Sequence, residues 1–187
     1  MFSRIRRFSI MAAPALILLR MATASTLPEL SFNEMTDSSE LVVSGHVTRT
    51  WTDWDAEHKY LWTHYELAVS AAHKGAAARI VDIAEPGGEK DGIGMAISGA
   101  TPYHVGESVL VFLSRMPNGY LRTTGFGQGK YLVDSAGHVH GATALKTSEN
   151  TGKSPAVPEV RSLDGLSASQ VSQLVGARVR VHGGNAQ

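Results

Sequence analysis

The chain contains no cysteine, and that absence closes several routes at once. There can be no disulfide staple, no catalytic thiol, no cysteine-ligated zinc and no haem attachment motif. Absent a cysteine after the N-terminal small residues, a lipoprotein is excluded too. Aromatic residues are scarce, at 7%. No apolar run is long enough to span a bilayer, which takes about 20 residues. Neither charge sign dominates, with 17 basic residues against 17 acidic. There is no His-Glu-x-x-His helix and no Gly-x-Ser-x-Gly elbow, so the corresponding zinc protease and serine hydrolase signatures are missing. No internal repeat is visible.

What is present begins at the N-terminus. Arg4, Arg6 and Arg7 precede a short apolar stretch from Ile10 to Leu19. Ala22-Thr23-Ala24 then supplies small residues at the two positions a signal peptidase reads. This is the three-part layout of a secretory signal, predicted to be removed as residues 1–24. Arg6-Arg7-Phe8 resembles a twin-arginine signal, but its flanks fit the general secretory route better. An N-terminal amphipathic helix that stays attached is the other reading. With Arg20 at the end of the apolar stretch, four arginines leave with the signal, so 17 basic residues become 13 against 17 acids, a net charge of −4. A mildly acidic domain is poorly suited to nucleic acid, which demands clustered Lys and Arg. The expected location is outside the cytoplasm, periplasmic or extracellular, with no stable membrane insertion after cleavage.

The remaining chain has the length of one domain with its own core. Ser31 and Glu34 make a capping box that starts a short helix running to about Ser39. Residues 41–48 are rich in β-branched side chains and are predicted to be the first strand. Residues 51–57 are polar and acidic and are predicted to be a loop. Residues 60–71 alternate, with Leu61, Thr63, Tyr65, Leu67 and Val69 on the expected core face. Tyr60, Trp62, His64, Glu66 and Ser70 take the other face. A third strand over 79–84 is expected to stop at Pro86-Gly87-Gly88. Weak β character follows at 95–97. Residues 108–114 form a near-continuous apolar strand expected to be buried on both faces. Met116-Pro117-Asn118-Gly119 is a hairpin turn, with a return strand over 120–124. Gly125, Gly127 and Gly129 suggest bulges or a sharp bend. A final hairpin spans 130–140.

The expected organisation is a signal peptide over 1–24, a β-barrel domain over 25–145, a flexible loop or linker over 146–159 and a C-terminal helical segment over 160–187. The helix is predicted over 167–175, with Leu166, Val171, Leu174 and Val175 at helical spacing. The predicted fold class is mainly β: a small OB-like closed or partly open β-barrel with a short N-terminal helix and a C-terminal helix.

The run Leu41-Val42-Val43-Ser44-Gly45-His46-Val47, then Lys74-Gly75, Pro86-Gly87-Gly88, residues 106–113 and Gln128-Gly129-Lys130-Tyr131 resembles a family of uncharacterised exported bacterial β-barrel domains. The match covers residues 29–140. The layout is also similar to the OB-like barrel of netrin-type domains and tissue inhibitors of metalloproteinases. Those inhibitors act through an N-terminal cysteine that this chain lacks, so their inhibitory wedge does not carry over. The resemblance implies a barrel and a binding role, with no catalytic residues to transfer.

Three constellations carry candidate chemistry. Trp51, Trp54, Tyr60 and Trp62 cluster in and beside the first hairpin, either as an exposed contact surface for protein or sugar or as a face covered by a terminal helix. Among the eight histidines, His138 and His140 stand two apart on a strand, so both point to one side. Joined by His46, His64 or His104, they are weak candidates for a zinc site and a metal-dependent hydrolase. The bland alternative is a polar edge hairpin. Asp53, Asp55 and Glu57 alternate as calcium ligands do, but without the glycine and bidentate glutamate of an EF-hand. Gly125-Phe126-Gly127-Gln128-Gly129 lacks the following helix that a phosphate loop needs. The functional expectation is therefore a non-enzymatic, protein-binding module with no cofactor, whose partner is another envelope or secreted protein.

Overall fold

The computed structural model describes residues 29–141, 160 and 162–184; the expected signal peptide, the 146–159 linker and the last three residues lie outside them. The chain opens with α1 (Phe32–Ser38). The predicted capping box forms: the Ser31 hydroxyl accepts from the Glu34 N–H, and the Glu34 carboxylate accepts from the Ser31 N–H at 2.8 Å. Strands β1 (Leu41–Trp54), β2 (Leu61–Lys74), β3 (Ile80–Pro86), β4 (Gly88–Lys90) and β5 (Ile93–Met95) follow. Then come β6 (Ser108–Arg115), β7 (Leu121–Thr123), a 3-10 turn (Phe126–Gly129), β8 (Lys130–Val133), β9 (Val139–Gly141) and α2 (Ala168–Gly184).

Five strands close a ring in the order β1-β2-β3-β7-β6, with β6 returning to β1. All neighbours are antiparallel except β3 and β7, which run parallel and meet at the single pair Ile83↔Leu121. The protein is thus mainly β, a partly open barrel of the OB-like kind, with a seam between β3 and β7. Strands β8 and β9 extend the sheet beyond β6. No helix among the described residues is long and apolar enough to cross a membrane.

The barrel closes because β1 bends. Its pairing with β2 shifts register at Val42/Val43, Ser44/Gly45 and Val47/Arg49. These irregularities let one long strand pair with β2 throughout and with β6 over Leu41 to His46. Gly45 sits where a Cβ would collide with the Ala68 carbonyl, so the tight approach of β1 and β2 requires its missing side chain. Bends expected at Gly125, Gly127 and Gly129 are instead a 3-10 turn, while the curvature needed for closure resides in β1.

Two apolar clusters flank the sheet. Val43, Val47, Tyr65, Leu67, Val81, Ile83, Val109, Val111, Leu113 and Leu121 fill the barrel interior. On the outside of β1, β6 and β8, Phe32, Met35, Leu110, Phe112, Tyr131, Val171 and Val175 bury both helices against the sheet. Strand β6 contributes to both clusters, which explains its continuous apolar run. Each such buried side chain contributes about 1.5–3 kcal/mol.

The helix predicted over 167–175 continues to Gly184. At its inner face Arg178 pairs with Asp37 of α1, a contact separated by 141 residues that local periodicity does not reveal. The acidic stretch 51–57 is not all loop. Strand β1 runs on through Trp54, because Trp51↔His64, Thr52↔Thr63 and Asp53↔Trp62 continue the ladder into a projecting hairpin. Only residues 55–60 turn. Strand β3 stops at Pro86, as the Pro86-Gly87-Gly88 signal predicts, and Gly88, at φ +132°, then starts the small hairpin β4–β5.

Candidate functional site

The four aromatic candidates occupy the projecting β1–β2 hairpin but in different settings. Trp51, half-buried, lies across the ladder from His64. The imidazole stacks on it, with ring centroids 5.1 Å apart and planes 7° from parallel. The Arg49 guanidinium packs over the same indole at 4.4 Å. Trp62, also half-buried, meets Tyr120 edge-on at 5.1 Å. Tyr120 in turn packs edge-on against His64 at 5.4 Å. The rings therefore form one row, Trp51-His64-Tyr120-Trp62, on the outer face of the barrel. The cover expected from a terminal helix is supplied by Tyr120, which the Met116–Gly119 turn delivers from between β6 and β7. His64 is 7% exposed and its Nδ1 is 2.9 Å from Asp82 Oδ2 on β3.

Trp54 and Tyr60 sit at the hairpin tip. Trp54 stacks on His58 at 6.3 Å, and Lys59 lies over Tyr60 at 5.2 Å. Tyr60 remains 47% exposed. Asp53 and Asp55, two of the alternating carboxylates, have separate tasks. Asp55 accepts from the Lys59 N–H at 2.7 Å and so builds the turn. Asp53 takes Lys90 of β4 at 2.6 Å, tying the tip of one hairpin to the other. Each has its carboxyl held below the usual range by that hydrogen bond first. The neighbouring hairpin exposes Ile93 at 52% and, just beyond β5, Ile97 at 42%. The weak β character read at 95–97 falls two residues after the start of β5, and β4 was missed, because a three-residue strand containing glycine has too few side chains to show alternation.

His138 and His140 both approach Asp134 Oδ2, at 3.7 and 3.0 Å, as two residues on one side of a strand should. His140 Nδ1 also lies 3.4 Å from Asp164 Oδ1, which joins the β8–β9 hairpin to the segment before α2. The hydrogen bond from His140 chiefly, with the His138 N–H, holds Asp134 down to about 2. Asp134, helped by the charge of Asp164, raises His140. Two of the three proposed third ligands are engaged elsewhere: His46 with Ser108 Oγ at 3.3 Å and His64 within the aromatic row. Among the described residues, no group of three or more His, Asp or Glu side chains could hold a metal ion.

One polar feature was not legible in the sequence. Glu85 is 2% exposed, on β3 at the barrel seam. Its carboxylate accepts from the Thr123 N–H at 2.9 Å, the Thr101 N–H at 3.3 Å and Arg122 Nε at 3.1 Å. The side chain thus takes the place of a strand carbonyl and closes the seam on the Glu85 side of the single pair Ile83↔Leu121. Tyr103 stands near it, its hydroxyl 2.5 Å from Thr123 Oγ1, and burial pushes that phenol well up.

The fold and this surface define a small, mainly β domain whose five-stranded ring forms a partly open barrel. No family model matches the chain, and no curated protein matches it.

Proposed function

We propose that the chain is an exported, non-enzymatic binding module that contacts another protein through the rim formed by the tips of the β1–β2 and β4–β5 hairpins. The observation that carries this reading is that two hairpins fastened by Asp53 and Lys90 each expose a large apolar side chain, Tyr60 and Ile93, with Ile97 exposed just beyond the second. Exposed apolar residues gathered in one place mark contact surfaces more often than isolated ones do. Trp54 beside them adds an aromatic anchor of the type that dominates interface energetics. Trp51 and Trp62 serve the rim by packing beneath it. The N-terminal signal and the resemblance to exported β-barrel domains support export; the expected partner is an envelope or secreted protein.

The test is affinity capture. The immobilised chain is exposed to envelope and secreted extract of the source organism beside a Tyr60→Asp, Ile93→Asp variant of matched thermal stability. One near-stoichiometric protein retained by the unaltered chain and lost by the variant is the expected result. Equal retention on both, or no retention, removes the rim from consideration.

A further inference from the structure

The seam between β3 and β7 is closed on one side of Ile83 and open on the other. Beyond Ile83, Glu85 fills the gap through Thr123 and Arg122. Before it, Ile80 to Asp82 pair with β2 alone. Which main-chain groups this leaves follows from ladder alternation. The Val69 N–H donates to the Arg79 carbonyl and the Gly87 N–H to the Leu61 carbonyl, both at 2.8 Å. With the register Leu67↔Val81 and Tyr65↔Ile83, the odd-numbered residues of β3 direct their N–H and C=O groups to β2. Ile80, Asp82 and Ala84 direct theirs into the seam. The parallel pair at Leu121 engages the Asp82 carbonyl and the Ala84 N–H. Among the described residues, the N–H and C=O of Ile80 and the N–H of Asp82 then have no strand partner.

These groups border a groove of about 340 Å³ whose walls include Ile80, Asp82, Arg115, Gly119, Tyr120 and Leu121. The edge is short and carries one charge, Asp82, but lacks two of the usual protections. Residues 80–82 contain no proline and no lysine, and Ile80 is 56% exposed. At the mouth Glu40 and Arg115 neutralise each other at 2.7 Å. Asp82, whose other oxygen partner is His64, keeps a side chain 48% exposed, so the charge left at the groove is negative.

We propose that this half of the seam receives an extended segment of a partner protein by strand addition to the Ile80–Asp82 edge. The segment sets an apolar side chain against Ile80 and a basic one beside Asp82. Main-chain hydrogen bonds supply affinity in this mode, and the alternate side chains supply selectivity. The site is separate from the hairpin-tip rim and does not depend on it.

The test uses the full isotope-labelled chain and the probe acetyl-Thr-Val-Thr-Lys-Thr-amide, whose apolar and basic side chains stand two apart and so share one face as Ile80 and Asp82 do, followed by amide chemical shifts and hydrogen exchange. The expected result is saturable shifts at Ile80, Asp82 and Leu121, with slower exchange at the Asp82 amide. The same peptide N-methylated at its central residues, unable to donate, binds at least about tenfold more weakly. Ile80→Lys abolishes the shifts, whereas Tyr60→Asp leaves them intact, which separates failure here from failure of the rim. Should Ile80→Lys unfold the chain, the N-methylated comparison decides by itself. Unsaturable shifts, equal binding of the N-methylated peptide, or shifts located elsewhere overturn the proposal. So does a concentration dependence without peptide, which would mean that a second copy of the chain occupies the seam.

Discussion

His64 and Trp51 lie flat against each other, 5.1 Å between ring centroids, although they stand 13 positions apart in the chain. Their stacking depends on the antiparallel register that places them directly opposite on β1 and β2. Arg49 covers the same indole, and Asp82 fixes the imidazole from β3. Trp51 is thereby a packing residue of the projecting hairpin, with Tyr60 and Ile93 left to face solvent.

Trp51→Ala is expected to lower stability by about 2 kcal/mol, since a partly buried indole loses its stacking and leaves a gap. Tyr60→Ala, at an exposed position, should stay within about 0.5 kcal/mol of the unaltered chain. Urea unfolding of the two variants checks the contrast. Equal midpoints would show that the row of rings contributes nothing to the fold.

Glu85→Ala should be among the most damaging single changes. It removes the acceptor for two backbone N–H groups and leaves Arg122 without its carboxylate in a site where the guanidinium is only 15% exposed. Breaking a buried pair from one side costs about 3–5 kcal/mol. The Glu85→Leu, Arg122→Leu double variant should recover part of that loss, because no uncompensated charge remains. A double-mutant cycle by chemical denaturation measures the coupling; an additive result would mean that the two side chains act independently.

The Asp134–His140 pair predicts a pH window. His140 is raised in the folded chain, so its contribution is complete below the unfolded value, about 6.5, and fades as pH climbs through the folded one. Asp134 is lowered to about 2, so its contribution is complete above the unfolded value, about 3.9, and fades as pH falls toward 2. The pair therefore helps most between about pH 4 and pH 6.5. Thermal unfolding of the unaltered chain and of His140→Gln should differ most in that window and converge above neutrality. A difference independent of pH would assign His140 a purely steric role.

The fold class was legible because its signals are local. Ser31 and Glu34 stand three apart and cap α1 wherever the rest of the chain goes. The period-two pattern of β2 and the unbroken apolar run of β6 report one buried face and two. The candidate surface was legible only in part. Trp51, Trp54, Tyr60 and Trp62 were recognisable as a cluster, yet their separation into packed and exposed members rests on Tyr120, which arrives from the turn between β6 and β7, and on the register that lays His64 against Trp51. The reach of β1 through Trp54 was hidden by Asp53 and the acidic residues that follow it, although Trp51, Thr52 and Trp54 are strand-favouring types that continue the ladder with β2.

By itself, then, the sequence determined the β-rich class, the capped first helix, the C-terminal helix and the absence of thiol chemistry, since each is written in residue type and near-neighbour spacing. The tertiary structure alone decided where β1 bends, that the β3–β7 seam meets at one pair, and that Glu85 completes one half of it while the other half stays open. Those outcomes depend on which distant backbone groups find partners when the ring of strands closes, and no local pattern specifies that.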